Sequence, residues 1–306
     1  RNHSYQELTT RASGQRKGML DGKESTVPVE KAETDTRGLK WWHLAATIFM
    51  GLQSIVINIS PIDTKFPSAV GFPDRSNAQG ALGSINVRRW ASTDVQGLIT
   101  AFLALAAADH LICTIIGFVS PDTFGYWFCT KGANPLRWFE YSVSASIMSV
   151  LIASLSGVYD VHLHFMIGIT TGLCQLMGWI IETMPRQLLQ PPSSHSGINS
   201  GSMDEDIVKT IRTVGMMIFG VATITLISGW CVSLCYFSQA SPPDFVYAAY
   251  IGTIIAYATF AINMFLERFL GVYDFVKAEK IYIVLSFTAK TFLAWDVYGG
   301  FRSADN

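Results

Sequence analysis

Seven stretches of this chain are too apolar, over too great a length, to form the interior of a water-soluble domain. They fall at about 41–60, 92–118, 136–158, 161–183, 207–237, 244–268 and 274–298, and a helix needs about 20 apolar residues to cross the hydrocarbon of a bilayer. Lipid offers no partners to backbone N–H and C=O groups, so each crossing segment must satisfy its own as a helix. The expected fold is an all-α membrane protein, a seven-helix transmembrane bundle. Composition agrees: half of the 306 residues are hydrophobic and only 15% are charged, against about 25% charged in ordinary soluble domains.

The intervening segments set the organisation. Residues 1–39 are rich in Ser, Thr, Gly, Lys, Arg and Glu and hold too little apolar surface to offset chain entropy, so they are expected to be a disordered tail. They contain no apolar core of a secretory signal, which leaves the first span as the expected insertion signal. Residues 40–300 form the expected bundle, and 301–306 a short tail. The loop at 61–91 carries Pro61, Pro67, Pro73, Gly71, Gly80 and Gly83; it is long for a connection and is expected to have structure of its own, such as a hairpin. A linker at 184–206 includes the run QPPSSHSGINSGS, flexible by composition.

Orientation follows from the basic residues. With the N-terminus inside, the inner flanks carry Arg37, Lys40, Lys131, Arg137, Arg186, Lys209, Arg212, Arg268, Lys277 and Lys280, and the outer flanks only Lys65, Arg75, Arg88, Arg89 and Arg302. The positive-inside rule therefore predicts a cytoplasmic N-terminus, an extracellular C-terminus and an extracellular 61–91 loop. The net charge of -1 gives no basic surface for nucleic acid. The cysteines at 113, 129, 174, 231 and 235 lack metal-ligand or CxxC spacing.

Ionisable residues inside the spans are few, and each is a functional candidate. Lys290 lies in IYIVLSFTAKTFLAWDVY, about 15 Å of helix past Lys280 and too deep to snorkel. A lysine at the centre of a membrane helix costs about 3 kcal/mol or more. A buried amine of this kind condenses with an aldehyde to form a Schiff base, so the leading reading is retinal held covalently on Lys290; the plainer one is a lysine paired with a buried carboxylate. Ser286 is one turn earlier on the same face.

Glu140, in PLRWFEYSVSASIMSVLIA, is the candidate counterion that would keep a Schiff base protonated in low dielectric; pairing with Arg137 near the helix start is the alternative. Ser144 and Met148 follow at one-turn intervals and suit a pocket wall. His110 is a possible proton acceptor, or a packed histidine, while the adjacent Asp109 is expected to face elsewhere. Glu182 reads as a solvated residue at a helix end. A polyene needs flat apolar walls, which the aromatics of the last three spans, Tyr257 among them, can supply, with a small residue such as Gly178 where the ring comes close.

With Glu140 and Lys290 in place, the chain resembles the heliorhodopsins, retinal proteins of inverted membrane orientation. The resemblance covers most of 41–300 and is most specific in RWFEYSVSASIMSVLIA at 137–153 and AEKIYIVLSFTAKTFLAW at 278–295. It implies all-trans retinal on Lys290 as a protonated Schiff base, Glu140 as counterion, Ser144 and Ser286 as polar neighbours and His110 beside the chromophore. It also implies a homodimer and a slow light-driven cycle suited to a sensor. The chain departs from the pattern in having no histidine in the middle of the first span, His43 lying near its start, and in Asp296 after Trp295.

Function is expected to be that of a photoreceptor, not an enzyme, whose light-driven rearrangement is read by a cytoplasmic signalling partner. A light-gated proton channel or transporter is the alternative, weakened by the absence of a second acid between Glu140 and Val158. A seven-helix receptor for a diffusible ligand is a third class.

Overall fold

A computed structural model describes residues 29–62, 64–73, 85–191 and 205–304. The chain separates into two compact units, Arg1–Asp35 and Thr36–Asn306. Of the first, only the helical residues 29–35 are described. The expected disorder of residues 1–28, the centre of the 61–91 loop and most of the 190–202 run lie outside the described residues.

Seven long helices run through the described residues: α1 (Val29–Ile59), α2 (Val95–Val119), α3 (Pro135–Leu155), α4 (Val161–Thr183), α5 (Glu205–Ala240), α6 (Asp244–Met264) and α7 (Phe275–Ala304). Residues 29–39, expected within the polar tail, are helical and continuous with α1. Helices α1 to α6 each hold a segment long and apolar enough to cross a membrane. The chain is thus an integral, multi-pass helical membrane protein. Helix α7 has the length, at 30 residues, but Lys290 and Asp296 interrupt its apolar run, and it is not among those six.

The loop after α1 is a hairpin of β1 (Lys65–Pro73) and β2 (Ile85–Asp94), antiparallel with Lys65 opposite Asp94 and a bulge at Ser68/Ala69. Its bulge meets the α3–α4 turn, where Ala69 N–H donates to the Tyr159 carbonyl at 2.8 Å. The hairpin thereby marks one end of the bundle. At that end the Gln96 side chain accepts from Ile62 N–H at 2.9 Å and donates to the Ile57 carbonyl at 2.8 Å, tying α2 to the end of α1.

The two halves of the bundle are filled differently. Toward the hairpin the core is apolar, built on Met50, Ile57, Phe102, Leu103, Leu151, Ile152, Leu293 and Val297. Toward the opposite end the buried residues include His43, Asp109, His110, Asn134, Arg137, Glu140, Glu182, Glu267, Arg268, Glu279 and Lys290. Buried charges on this scale require partners, and two local features supply the geometry. Asn134 caps α3 by accepting from Arg137 N–H at 3.3 Å, with Pro135 at the first helical position. A π-helical turn at Phe265–Phe269 ends α6 and buries the successive residues Glu267, Arg268 and Phe269, which the wider turn permits. Gly271, at φ 66°, then reverses the chain into α7, and a Cβ there would meet the Gln190 side chain at 2.7 Å.

Candidate functional site

The register set by the Asn134–Pro135 cap turns two rows of α3 inward. Trp138, Tyr141, Ala145 and Met148 form one row, at helical spacing, and Glu140 and Ser144 lie beside it; all are buried. Helix α7 supplies the facing stripe of Glu279, Tyr282, Ser286 and Lys290, also buried.

The stripes meet at Lys290. Its Nζ donates to Glu140 Oε1 at 3.0 Å, to Glu140 Oε2 at 3.1 Å and to Ser286 Oγ at 2.9 Å. The Tyr141 ring centroid lies 4.9 Å from the same nitrogen, close enough for a cation–π contact. Lys290 and Glu140 are 3% and 5% exposed, so the pair is formed away from water, where an ammonium without its carboxylate would be strongly destabilising. Glu140 thus pairs with Lys290 rather than with Arg137.

A cavity of about 300 Å³ opens beside Lys290. Its walls are aromatic faces and aliphatic side chains, with Trp138, Tyr141, Tyr282 and Phe260 among them, and it has few polar groups. Ser144, Met148, Gly178, Tyr257 and Ser286 all line it. At Gly178 the Trp138 ring lies against the backbone, and any Cβ would collide with it. Tyr257 donates its hydroxyl to the Ala145 carbonyl at 2.9 Å and turns its ring edge to Trp230, 5.7 Å away between centroids. Phe219, Trp230 and Phe260, from the aromatic stripe of the last spans, line the cavity, whereas Tyr236, Tyr247, Tyr250, Phe265 and Trp295 are not among its lining residues. Trp138, Tyr141 and Tyr282 were missed in the sequence. Their one clue is spacing, since Trp138, Tyr141 and Ala145 follow at three and four residues beside Glu140 and Ser144.

A polar cluster adjoins the pair. His110 is not one of the residues that line the cavity. Its Nδ1 is 3.1 Å from His43 Nδ1 and 3.6 Å from Asp109 Oδ2. His43, near the start of the first span by sequence, is wholly buried against the Phe124 and Phe128 rings. Asp109 is 6% exposed and His110 3%, so both neighbours face inward. Helix α2 packs against α3 and α7 and bonds to α1 through His43–His110 and Ser54–Thr100, so its buried arc is wider than the 100° that separates adjacent residues.

Glu182 is not solvated. It is 3% exposed and forms ion pairs with Arg137 and, at 3.8 Å, with Arg268. It also accepts from Trp138 Nε1 at 2.7 Å and from Asn134 N–H at 2.8 Å. Arg137 pairs as well with Glu279, and Arg268 with Glu267 at 2.8 Å. Arg186 reaches Glu267 at 3.2 Å. Three arginines and three glutamates thus balance inside the end of the bundle opposite the hairpin. Arg137 and Arg268, counted among the basic flanks, are spent on these internal pairs.

Helices, lysine–carboxylate pair and aromatic cavity together define a helical membrane protein with an apolar cavity beside a buried amine. The heliorhodopsin family model matches residues 39–301, most of the chain, and the protein belongs to that family. Heliorhodopsins are light-sensing, retinal-binding proteins rather than a class of enzymes. Comparison with curated proteins gives no match.

Proposed function

We propose that this protein is a light sensor that carries all-trans retinal on Lys290 as a protonated Schiff base, with Glu140 as its counterion. The observation that carries this reading is the buried Lys290–Glu140 pair, 3.0 Å apart, at the wall of an aromatic cavity. Retinal, when bound, supplies absorption of visible light and a double bond that isomerises. The chain does the rest. Lys290 provides the attachment nitrogen, Glu140 offsets its positive charge in low dielectric, and Ser286 and Tyr141 hold the amine in place. Met148, Tyr257 and the Trp138 ring seated on Gly178 give the polyene flat walls, with Ser144 a polar neighbour.

The same reading takes α7 as the seventh crossing, with the N-terminus cytoplasmic, a homodimer in the bilayer and a cytoplasmic partner that reads the rearranged helices. The asymmetry of the core supports sensing over transport. A proton path needs a chain of ionisable groups on both sides of the attachment point, and the hairpin half beyond Lys290 is mainly apolar, its buried polar groups being mostly hydroxyls such as Ser149 and Thr171 that bond to one another. Light-gated proton conduction is favoured only by the His43–His110–Asp109 cluster on the other side. Voltage clamp under illumination separates the two: the sensor reading expects no light-induced current at any holding potential, and a light-induced current that follows the proton driving force contradicts it. Lys290→Ala is expected to abolish the visible band of protein supplied with retinal. Survival of that band would rule out the assignment to Lys290.

A further inference from the structure

We propose that the end of the cavity remote from Lys290, at Gln175 of α4 and Thr223 of α5, is built to bind a hydroxyl group, so that the chromophore this chain selects is a retinal hydroxylated on its ring. The proposal rests on the reading of Lys290 as the attachment point and names the ligand of that same site more closely.

The cavity has two ends. Lys290 and Ser286 line it from α7, whereas Gln175 lines it from α4 and Thr223, Leu226 and Ile227 from α5. Helix α4 packs on α3 and α5, and α7 on α6 and α2, so the two groups of residues face each other across the cavity. They also lie at similar depth. Along the antiparallel α3–α4 seam Gly178 meets Trp138, and Gly172 meets Ser142 and Ser146. Gln175, midway between those glycines, is therefore within about one turn of the level of Glu140. Along α4–α5, Gly229 meets Ile167 and Thr170. About two turns further on α4, and two turns back on α5, Gln175 comes level with Thr223.

Gln175 belongs to the inner row of α4. Thr171, Gly178 and Glu182 are buried and Gln175 continues their three-and-four spacing, while Ile169, Leu173 and Ile180 are exposed on the outer face. An amide in apolar surroundings is costly unless it is hydrogen-bonded, yet the Gln175 side chain has no hydrogen-bond partner among the described residues. Other wall residues are matched. Tyr141 donates to the Tyr282 carbonyl at 3.2 Å, Tyr257 to the Ala145 carbonyl at 2.9 Å and Trp138 to Glu182 at 2.7 Å. Ser144 Oγ is also unmatched, but it lies one turn from Glu140, at the lysine end.

The ligand chemistry follows from the two groups. Thr223 donates its hydroxyl to the Phe219 carbonyl at 2.9 Å, which leaves its oxygen as an acceptor, while the Gln175 amide offers both donors and an acceptor. A hydroxyl gives one hydrogen bond and receives another, so it can satisfy both residues at once. A ring ketone can only accept from Gln175, and an unsubstituted ring leaves the amide unpaired.

Competition for the full-length protein, produced without chromophore, tests this. It is given an equimolar excess of all-trans-retinal and all-trans-3-hydroxyretinal, and in a second series 4-hydroxyretinal; the bound chromophores are released with hydroxylamine and quantified by chromatography. At least one hydroxylated aldehyde is expected to be taken up in preference to retinal by about fivefold, the worth of one neutral hydrogen bond. That preference is expected to disappear in Gln175→Met and to weaken in Thr223→Val. Equal uptake of all three aldehydes, a preference for retinal, or a preference that Gln175→Met leaves unchanged overturns the proposal. If Gln175→Met takes up no aldehyde, Thr223→Val decides, and a preference it leaves unchanged overturns the proposal. A parent protein that takes up no aldehyde, or carries it on another residue, overturns instead the reading of Lys290, whatever the ring bears.

Discussion

Replacing Glu140 by glutamine keeps the shape of the side chain and removes the charge that faces Lys290 from 3.0 Å. With retinal bound, the anion stabilises the dark state more than the excited state, whose positive charge has moved away from the nitrogen. Glu140→Gln is therefore expected to shift the visible band to longer wavelength, and an unchanged spectrum would assign the counterion role to another acid. Gly178→Val is a packing test. A Cβ at 178 collides with the Trp138 ring, so pigment yield on adding retinal is expected to fall severalfold, and a yield equal to the parent would show that the ring does not define the wall. Lys290 and Glu140 were legible in the sequence because a charge is conspicuous in an apolar run. Trp138, Tyr141 and Tyr282 were not, because aromatic residues are common in every span and only contacts distinguish wall from lipid face. Glu182 was misjudged, and the burial of His43 went unread, for a different reason. Both lie near the end of a span, and sequence position alone does not reveal that short segments such as Tyr126–Lys131 and Phe265–Phe269 cover that end.

Helix α3 is joined to α4, α7 and the end of α6 by one charge network. Arg137 is 2% exposed and bonds Glu182 from α4 and Glu279 from α7, while Arg268 and Glu267 come from the π-turn that follows α6. Removing one member leaves a partner charged and buried, which typically costs about 3–5 kcal/mol. Glu182→Gln is expected to lower the thermal unfolding midpoint clearly in detergent. Lys209→Ala, which breaks the exposed Glu205–Lys209 pair on α5, is expected to shift stability by less than about 0.5 kcal/mol. Equal effects would mean that the network is no more than a set of surface contacts. The network also touches the cavity directly, since Trp138 lines it and donates to Glu182. The elements themselves were well read in outline. Every expected span overlaps a long helix, and the proline- and glycine-rich loop is a hairpin. The π-turn was invisible, because its sequence, FLERF, continues the helical pattern, and only the burial of the adjacent Glu267 and Arg268 reveals it.

The bundle is polarised along its axis, with a mainly apolar core toward the hairpin and buried charge toward the other end. The proposed orientation sets the charged end toward the cytoplasm, where a signalling partner would meet it. A cysteine introduced at Ser303 is expected to react with an impermeant thiol reagent on intact cells, and a tag before residue 29 to be reached only after lysis; the opposite pattern reverses the topology. Orientation was legible only through lysine and arginine counts, and the structure narrows that count by burying Arg137 and Arg268. The most direct test of the whole account is to reduce the purified, retinal-loaded protein with borohydride and map the modified peptide by mass spectrometry. The account predicts a retinyl group on Lys290 alone, and an adduct on another lysine, or none from coloured protein, would contradict it.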